Sequence, residues 1–244
     1  MLTPLELTRY ARQIIIPGLG EAGQEKLKKA CVFLAGAGGL GSPAALYLAA
    51  AGIGKIRIAD FDTVELSNLN RQVLHWTDDV GRLKVESAAS KLRRLNPEVE
   101  IEAFNVHMSG ENLEKLAAGS DVIVDAMDNL QTRYFLNQVA QILRIPFMHG
   151  AVSGLEGRAM TVLPGETACL MCLYRGADVK VKPPVLGATP ALIASLQVTE
   201  VIKYLTGLGQ LLAGRFLIYD GLNMRFAEIQ VSRDPHCPHC GSQG

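Results

Sequence analysis

Short, dense apolar runs alternate along this chain with longer stretches in which apolar positions recur every third or fourth residue. The runs at 32–35, 56–59, 101–104, 121–125 and 146–148 predict strands. The stretches between them predict helices: one from the glycine-rich segment through residue 51, one from near Lys84 to Asn96, one over 110–118 and one over 131–143. Gly52 and Gly54 close the first helix, and Asn96-Pro97 stops the second, because proline cannot continue a helix interior. An alternating βα series of this kind folds as a parallel sheet covered on both faces.

Two helical segments precede the series. In the first, over 5–16, Leu5, Tyr10 and Ile14 fall at roughly helical spacing, with Arg9 and Arg12 on a neighbouring face. The second covers 21–30. The end of the chain breaks the pattern. Residues 157–163 and 216–231 predict antiparallel strands, separated by a proline-rich stretch and a long helix at 190–205. The expected fold is α/β, a Rossmann-like, mostly parallel sheet with helices on both faces, extended by antiparallel C-terminal strands and a zinc-bound segment. One domain over 1–244 is expected, with N-terminal helices in 1–30, a nucleotide-binding core in 31–150, and the strands, crossover loop and zinc site in 151–244.

With 48% hydrophobic residues in 244, the chain can bury a full core. Its 24 basic and 24 acidic residues cancel, which argues against nucleic acid bound by general electrostatics. The first residues are polar and lack the apolar stretch of a signal peptide. The greasiest run, 44–54, is interrupted by Gly52 and Gly54 and is too short to span a bilayer. A soluble cytoplasmic protein without a membrane partner is the expectation.

The candidate chemistry begins at Gly36-Ala37-Gly38-Gly39-Leu40-Gly41, between a predicted strand and a helix. In that geometry backbone N–H groups and a helix N-terminus face a phosphate. Asp60, ending the next strand, can accept hydrogen bonds from a ribose. A nicotinamide dehydrogenase would show the same features. Arg71, Lys84 and Asp128 separate the readings, since each falls at or just beyond the carboxyl end of a predicted strand, where such sheets bind ligands. Two cations and a carboxylate suit a triphosphate with magnesium, whereas hydride transfer has no need of them.

Two Cys-x-x-Cys hooks, Cys169/Cys172 and Cys237/Cys240, read as one structural zinc site of four thiolates. A redox pair is the competing reading, and neither hook falls at a βα junction. His236 and His239 flank the second hook as alternative ligands, but four cysteines already complete the shell. Cys31 falls in a core strand and reads as inert packing.

Arg9-Tyr10-x-Arg12-Gln13, the 36–41 loop, Asp60-Phe61-Asp62-x-Val64, Ser67-Asn68-Leu69-Asn70-Arg71-Gln72, Gly81-x-x-Lys84 and Asp128-Asn129-x-x-Thr132-Arg133 occur in one order. In that order and spacing they resemble the MoeB/ThiF/HesA family, bacterial relatives of ubiquitin-activating enzymes, over nearly the whole chain. The resemblance implies an adenylation domain that uses ATP to activate the C-terminal Gly-Gly carboxylate of a ubiquitin-like sulfur carrier (ThiS- or MoaD-like). Pyrophosphate is released, in thiamine, molybdopterin or related sulfur-transfer biosynthesis.

It also implies roles. Gly36, Gly38, Gly39 and Gly41 lie against the nucleotide, Asp60 holds the ribose, and Asp62 belongs to the same binding set. Asn68, Arg71 and Lys84 contact phosphates, and Asp128 binds magnesium. Arg12 reaches the ATP of the neighbouring subunit, which makes the enzyme a homodimer. Arg12, Arg71, Lys84 and Asp128 form the catalytic set, and Arg133 braces the loop. A carboxylate nucleophile is already ionised, so no general base is needed, and His75, His107 and His149 are expected to be structural. Relatives with a further cysteine in the crossover form a covalent intermediate. Residues 173–184 contain none, and no rhodanese-like extension follows Cys240, so the expected product is the acyl-adenylate, with sulfur supplied by another protein. The 175–187 stretch is expected to be mobile and to cover the carrier tail. Adenylation of a small-molecule carboxylate, an NAD-binding oxidoreductase and an idle carrier-binding scaffold remain the alternatives.

Overall fold

The computed structural model describes residues 1–176 and 184–241. Thr3 caps α1 (Pro4–Arg9) reciprocally: its hydroxyl accepts from the Glu6 N–H at 3.2 Å, and the Glu6 carboxylate accepts from the Thr3 N–H at 2.7 Å. The chain bends at Tyr10 and resumes as α2 (Ala11–Ile14), so the single expected helix is two. The anchor is Tyr10, buried with its hydroxyl accepting from Asn96 Nδ2 at 2.8 Å, and not an apolar stripe; Leu5 is exposed.

The βα series follows: α3 (Gly20–Lys29), β1 (Cys31–Ala35), α4 (Gly41–Ala51), β2 (Lys55–Asp60), α5 (Lys84–Leu95), β3 (Glu100–Asn105), α6 (Leu113–Ala117), β4 (Val122–Asp125), α7 (Leu130–Leu143) and β5 (Phe147–Ser153). Helix α6 is shorter than expected because Asn112 holds the preceding residues as a turn. Its Oδ1 accepts from the Ser109 N–H at 2.9 Å and its Nδ2 donates to His107 O at 2.8 Å. Strand β5 runs beyond Met148 through His149 and Gly150 to Ser153, where it pairs with β6 (Glu156–Val162). Then come α8 (Leu170–Tyr174), not foreseen in sequence, and α9 (Ala188–Thr206). The 216–231 segment resolves into the hairpin β7 (Arg215–Asp220) and β8 (Arg225–Gln230).

The eight strands of the described residues form one sheet, in the order β3-β2-β1-β4-β5-β6-β7-β8. The five from β3 to β5 are parallel, and β6, β7 and β8 continue it antiparallel. Side-chain alternation divides the core. Val32, Leu34, Ile56, Ile58, Val122 and Val124 face α4, α5 and α9, while Phe33, Ile123 and Phe147 face α6, α7 and α8. Burial on both faces is why the central strands read as unbroken apolar runs. The expected mobile cover over 175–187 falls largely outside the described residues. At its far end, Pro184 and Leu186 pair with Gly154, whose N–H donates to Pro184 O at 2.6 Å. No helix among the described residues is long and apolar enough to cross a membrane.

Candidate active site and metal centre

From β1 the chain passes to β2 and β3 on one side, then returns to place β4 and β5 on the other. The carboxyl ends of β1 and β4 therefore flank a crevice, the position where open α/β sheets take ligands. A cavity of about 870 Å³ opens there.

Gly36, Gly38 and Gly39 form part of its wall. Gly36 has φ +107°, a conformation that favours glycine. Gly41 stands behind the wall as the first residue of α4. A Cβ there would sit 2.0 Å from Gly36 O, so Gly41 lets the helix close onto the loop. Asp60 lies on the wall with its carboxylate accepting from the N–H groups of Ala37 at 2.8 Å and Asp62 at 2.9 Å.

The segment between β2 and α5 folds back on itself. Val64 N–H donates to Arg82 O at 2.8 Å, and Lys84 N–H to Asp62 O at 2.9 Å. This stitching sets Lys84 beside Asp62, and Lys84 Nζ donates to Asp62 Oδ2 at 2.6 Å. Arg71 Nη1 donates to Ser67 O at 2.9 Å and to Asn70 Oδ1 at 3.0 Å, and Asn68 Oδ1 accepts from the Glu65 N–H at 3.2 Å. Asp62, Asn68, Arg71, Lys84 and Asp128 all line the cavity. The structure thus brings together every sequence-predicted nucleotide residue except Gly41 behind the wall and Arg12, which is exposed on α2 and outside the lining.

Beneath the cavity lies a buried polar cluster in which Arg133 alone belongs to a motif read in the sequence. Asp125, wholly buried at the end of β4, accepts from His149 Nδ1 at 2.7 Å and pairs with Arg133 Nε at 3.2 Å. Burial opposes its charge, but the Arg133 guanidinium and His149 outweigh that and hold the carboxyl below its ordinary range. Burial pushes His149 down, with the Asp125 carboxylate opposing, and Tyr174 Oη lies 3.5 Å from Nε2. Arg133 Nη2 donates to Met127 O at 2.5 Å and Gly150 O at 2.9 Å, bracing the loop that carries Asp128. Gln72, Arg133, Arg158 and Tyr174 also line the cavity, and Gln72 Oε1 is buried without a hydrogen-bond partner among the described residues. Only Gln72 and Arg133 fall within recognised motifs; long-range packing alone brings in Arg158 and Tyr174.

The two hooks meet. All four sulfur atoms of Cys169, Cys172, Cys237 and Cys240 lie within 4.8 Å of one another. The Sγ–Sγ separations are 3.6 Å for Cys169–Cys237, 3.4 Å for Cys172–Cys240 and 4.0 Å for Cys169–Cys172. A tetrahedral zinc with Zn–S bonds of about 2.3 Å sets S–S edges of about 3.8 Å, so the set fits. Burial pushes the Cys169 and Cys240 thiols up, and a divalent cation is what reverses that penalty. Asn137 of α7 ties both hooks down: its Oδ1 accepts from the Leu170 N–H at 2.9 Å and its Nδ2 donates to His239 Nδ1 at 2.8 Å. Among the described residues, the ligand cluster comprises the four thiols and does not include His239. Cys31, half-buried, has its thiol pushed up by burial, in keeping with a packing role.

The chain is 43% identical over 249 residues to the SAMP-activating enzyme E1 of Haloferax volcanii, a match covering 100% of this chain and 92% of that one. It is 42% identical over 256 residues to the sulfur carrier protein adenylyltransferase of Thermus thermophilus, covering 99% and 93%. The crystal structure of E. coli MccB with ATP superposes with a TM-score of 0.84 at 25% identity, covering 91% of this chain and 69% of that one. The model of the ThiF family matches residues 10–239, and the chain belongs to that family.

Proposed function

We propose that this chain is an adenylyltransferase that uses ATP to activate the C-terminal glycine carboxylate of a ubiquitin-like sulfur carrier, releasing pyrophosphate. The observation that carries this reading is the convergence of the glycine loop, Arg71, Lys84 and Asp128 on one cavity at the switch point of the sheet. The relatives named for activating a sulfur carrier or SAMP support it.

The nucleophile is a carboxylate of pKa about 3.5, ionised at neutral pH, so no base has to take a proton from it. The obstacle is repulsion between an anion and a polyanion. In this reading Arg71 and Lys84, oriented by hydrogen bonds to Ser67 and Asp62, offset that charge. Asp128 fits a magnesium site formed by one carboxylate and substrate phosphates, and the ion when bound would neutralise developing charge. The four cysteines would hold zinc as a structural tie. In this reading the whole chain is one adenylation domain, working as a cytoplasmic homodimer to which Arg12 contributes across the interface.

The test is ATP–pyrophosphate exchange with and without ThiS-like and MoaD-like carriers, followed by mass spectrometry for an AMP adduct. Carrier-dependent exchange is expected in the wild type. Asp128→Ala should abolish it while the circular dichroism spectrum stays unchanged. Exchange driven by a small carboxylate instead of a carrier, or tight NAD binding with no affinity for ATP, would overturn the reading.

A further inference from the structure

The turn after Arg71 carries a buried histidine to which the adenylation chemistry gives no proton. His75 Nε2 lies 2.9 Å from the Ala37 carbonyl in the glycine loop, and Nδ1 lies 2.9 Å from Ser87 Oγ on α5. A carbonyl can only accept, so Nε2 bears the proton, and the neutral ring accepts at Nδ1 from the Ser87 hydroxyl. Ser87 Oγ accepts in turn from Lys91 Nζ at 2.8 Å, and Lys91 pairs with Asp79. Each bond in this chain fixes the direction of the next.

The Ala37 backbone is gripped at both its N–H and its carbonyl. Its N–H donates to Asp60 Oδ2 at 2.8 Å, and its carbonyl accepts a second bond from Ser42 Oγ at 3.2 Å. The peptide between Ala37 and Gly38 is trans and planar, so the Gly38 N–H points opposite to the Ala37 carbonyl. With that carbonyl turned inward to His75 and Ser42, the N–H turns outward, and Gly38 lies on the cavity wall. Neither Gly38 nor Gly39 N–H meets an acceptor among the described residues.

We propose that His75 is a positioning residue, a strut between α5 and the glycine loop that holds the Ala37 carbonyl inward and so aims the Gly38 N–H at a phosphate oxygen of the nucleotide. The inference rests on the nucleotide reading above and adds to it a residue outside the phosphate-contacting set. Simple packing would make His75 matter equally for every ligand. A strut makes it matter for phosphate.

Calorimetric titrations of ATP and of adenosine into the full-length wild type, His75→Leu, His75→Gln and Ser42→Ala separate the two. A glutamine amide nitrogen reaches the place of Nε2 and donates there, whereas leucine cannot. Losing one aimed hydrogen bond to a charged oxygen should weaken ATP about tenfold or more in His75→Leu while adenosine shifts less than about twofold. His75→Gln should stay within about threefold of wild type for both ligands. Ser42→Ala removes the other donor to the same carbonyl, should weaken ATP selectively, and supplies the measurement if the leucine variant does not fold. Equal losses for ATP and adenosine, unchanged ATP affinity in His75→Leu, or a glutamine variant no better than leucine would each refute the strut. A wild type that binds neither ligand sinks the nucleotide reading, and the strut with it.

Discussion

Lys84 is nearly enclosed, its side chain 6% exposed, and its carboxylate partner Asp62 is 48% exposed. An ammonium placed so deep needs a counter-charge, and Asp62 supplies one that an arriving phosphate can compete for. Lys84→Met should therefore cut pyrophosphate exchange by about a hundredfold or more, as removal of a preorganised charge-stabilising donor does. Its melting temperature should change little, because the carboxylate left behind is half exposed; a collapse in stability would contradict this account. His75 sets a pH dependence of stability. Burial holds its imidazole below the ordinary value, with the Ala37 bond and Asp79 opposing and Lys91 and Lys84 reinforcing the shift. A lowered folded pKa means the unfolded chain binds the proton first. The stabilisation is present above about pH 6.5 and is lost as pH falls through the folded value. The melting-temperature gap between wild type and His75→Gln should accordingly narrow between about pH 7.5 and 5, as followed by differential scanning calorimetry. Arg71, Lys84 and Asp128 were legible in sequence because charges at strand ends have few other uses. Tyr174 and Arg158 were not, because no local pattern marks a side chain that only packing brings to the wall.

Helix α8 spans five residues and is held from outside. Cys169 immediately precedes it and Cys172 lies at its middle; its N–H at Leu170 is held by Asn137, and its last carbonyl, at Tyr174, accepts from Tyr134 Oη at 2.6 Å. Too short to be stable alone, it depends on the hook and on α7. Cys172→Ser should lose the metal, counted by elemental analysis, and lower the melting temperature before it changes adenylation. Retention of one zinc per chain would count against the four-thiolate site. The same dependence explains why apolar periodicity gave no sign of α8, while β1, β2 and β4, buried on both faces, were plain. Strand β5 was read short because His149 and Gly150 interrupt its apolar run. His149 is accommodated there by Asp125 of β4, which accepts a hydrogen bond from its Nδ1 and is a partner far away in sequence.

At the scale of the whole molecule, the sheet places the cavity at the ends of β1 and β4, and the N-terminal helices leave Arg12 exposed and outside the cavity lining. If Arg12 acts across a homodimer, mixing inactive Arg12→Ala with inactive Asp128→Ala should restore exchange, since one site of each mixed dimer keeps both residues intact. Failure of the mixture to regain activity, with subunit exchange verified by native mass spectrometry, would place Arg12 elsewhere. By itself the sequence determined the alternating βα core, the glycine loop, the charges at the strand ends and the two cysteine hooks. All of these are set by local chemistry: both-face burial, backbone access to a phosphate, ligand spacing. Only the tertiary structure decided that Arg158 and Tyr174 reach the cavity wall and that His75 joins α5 to the loop. These depend on contacts between residues far apart in the chain, which no local pattern of apolar and polar positions encodes.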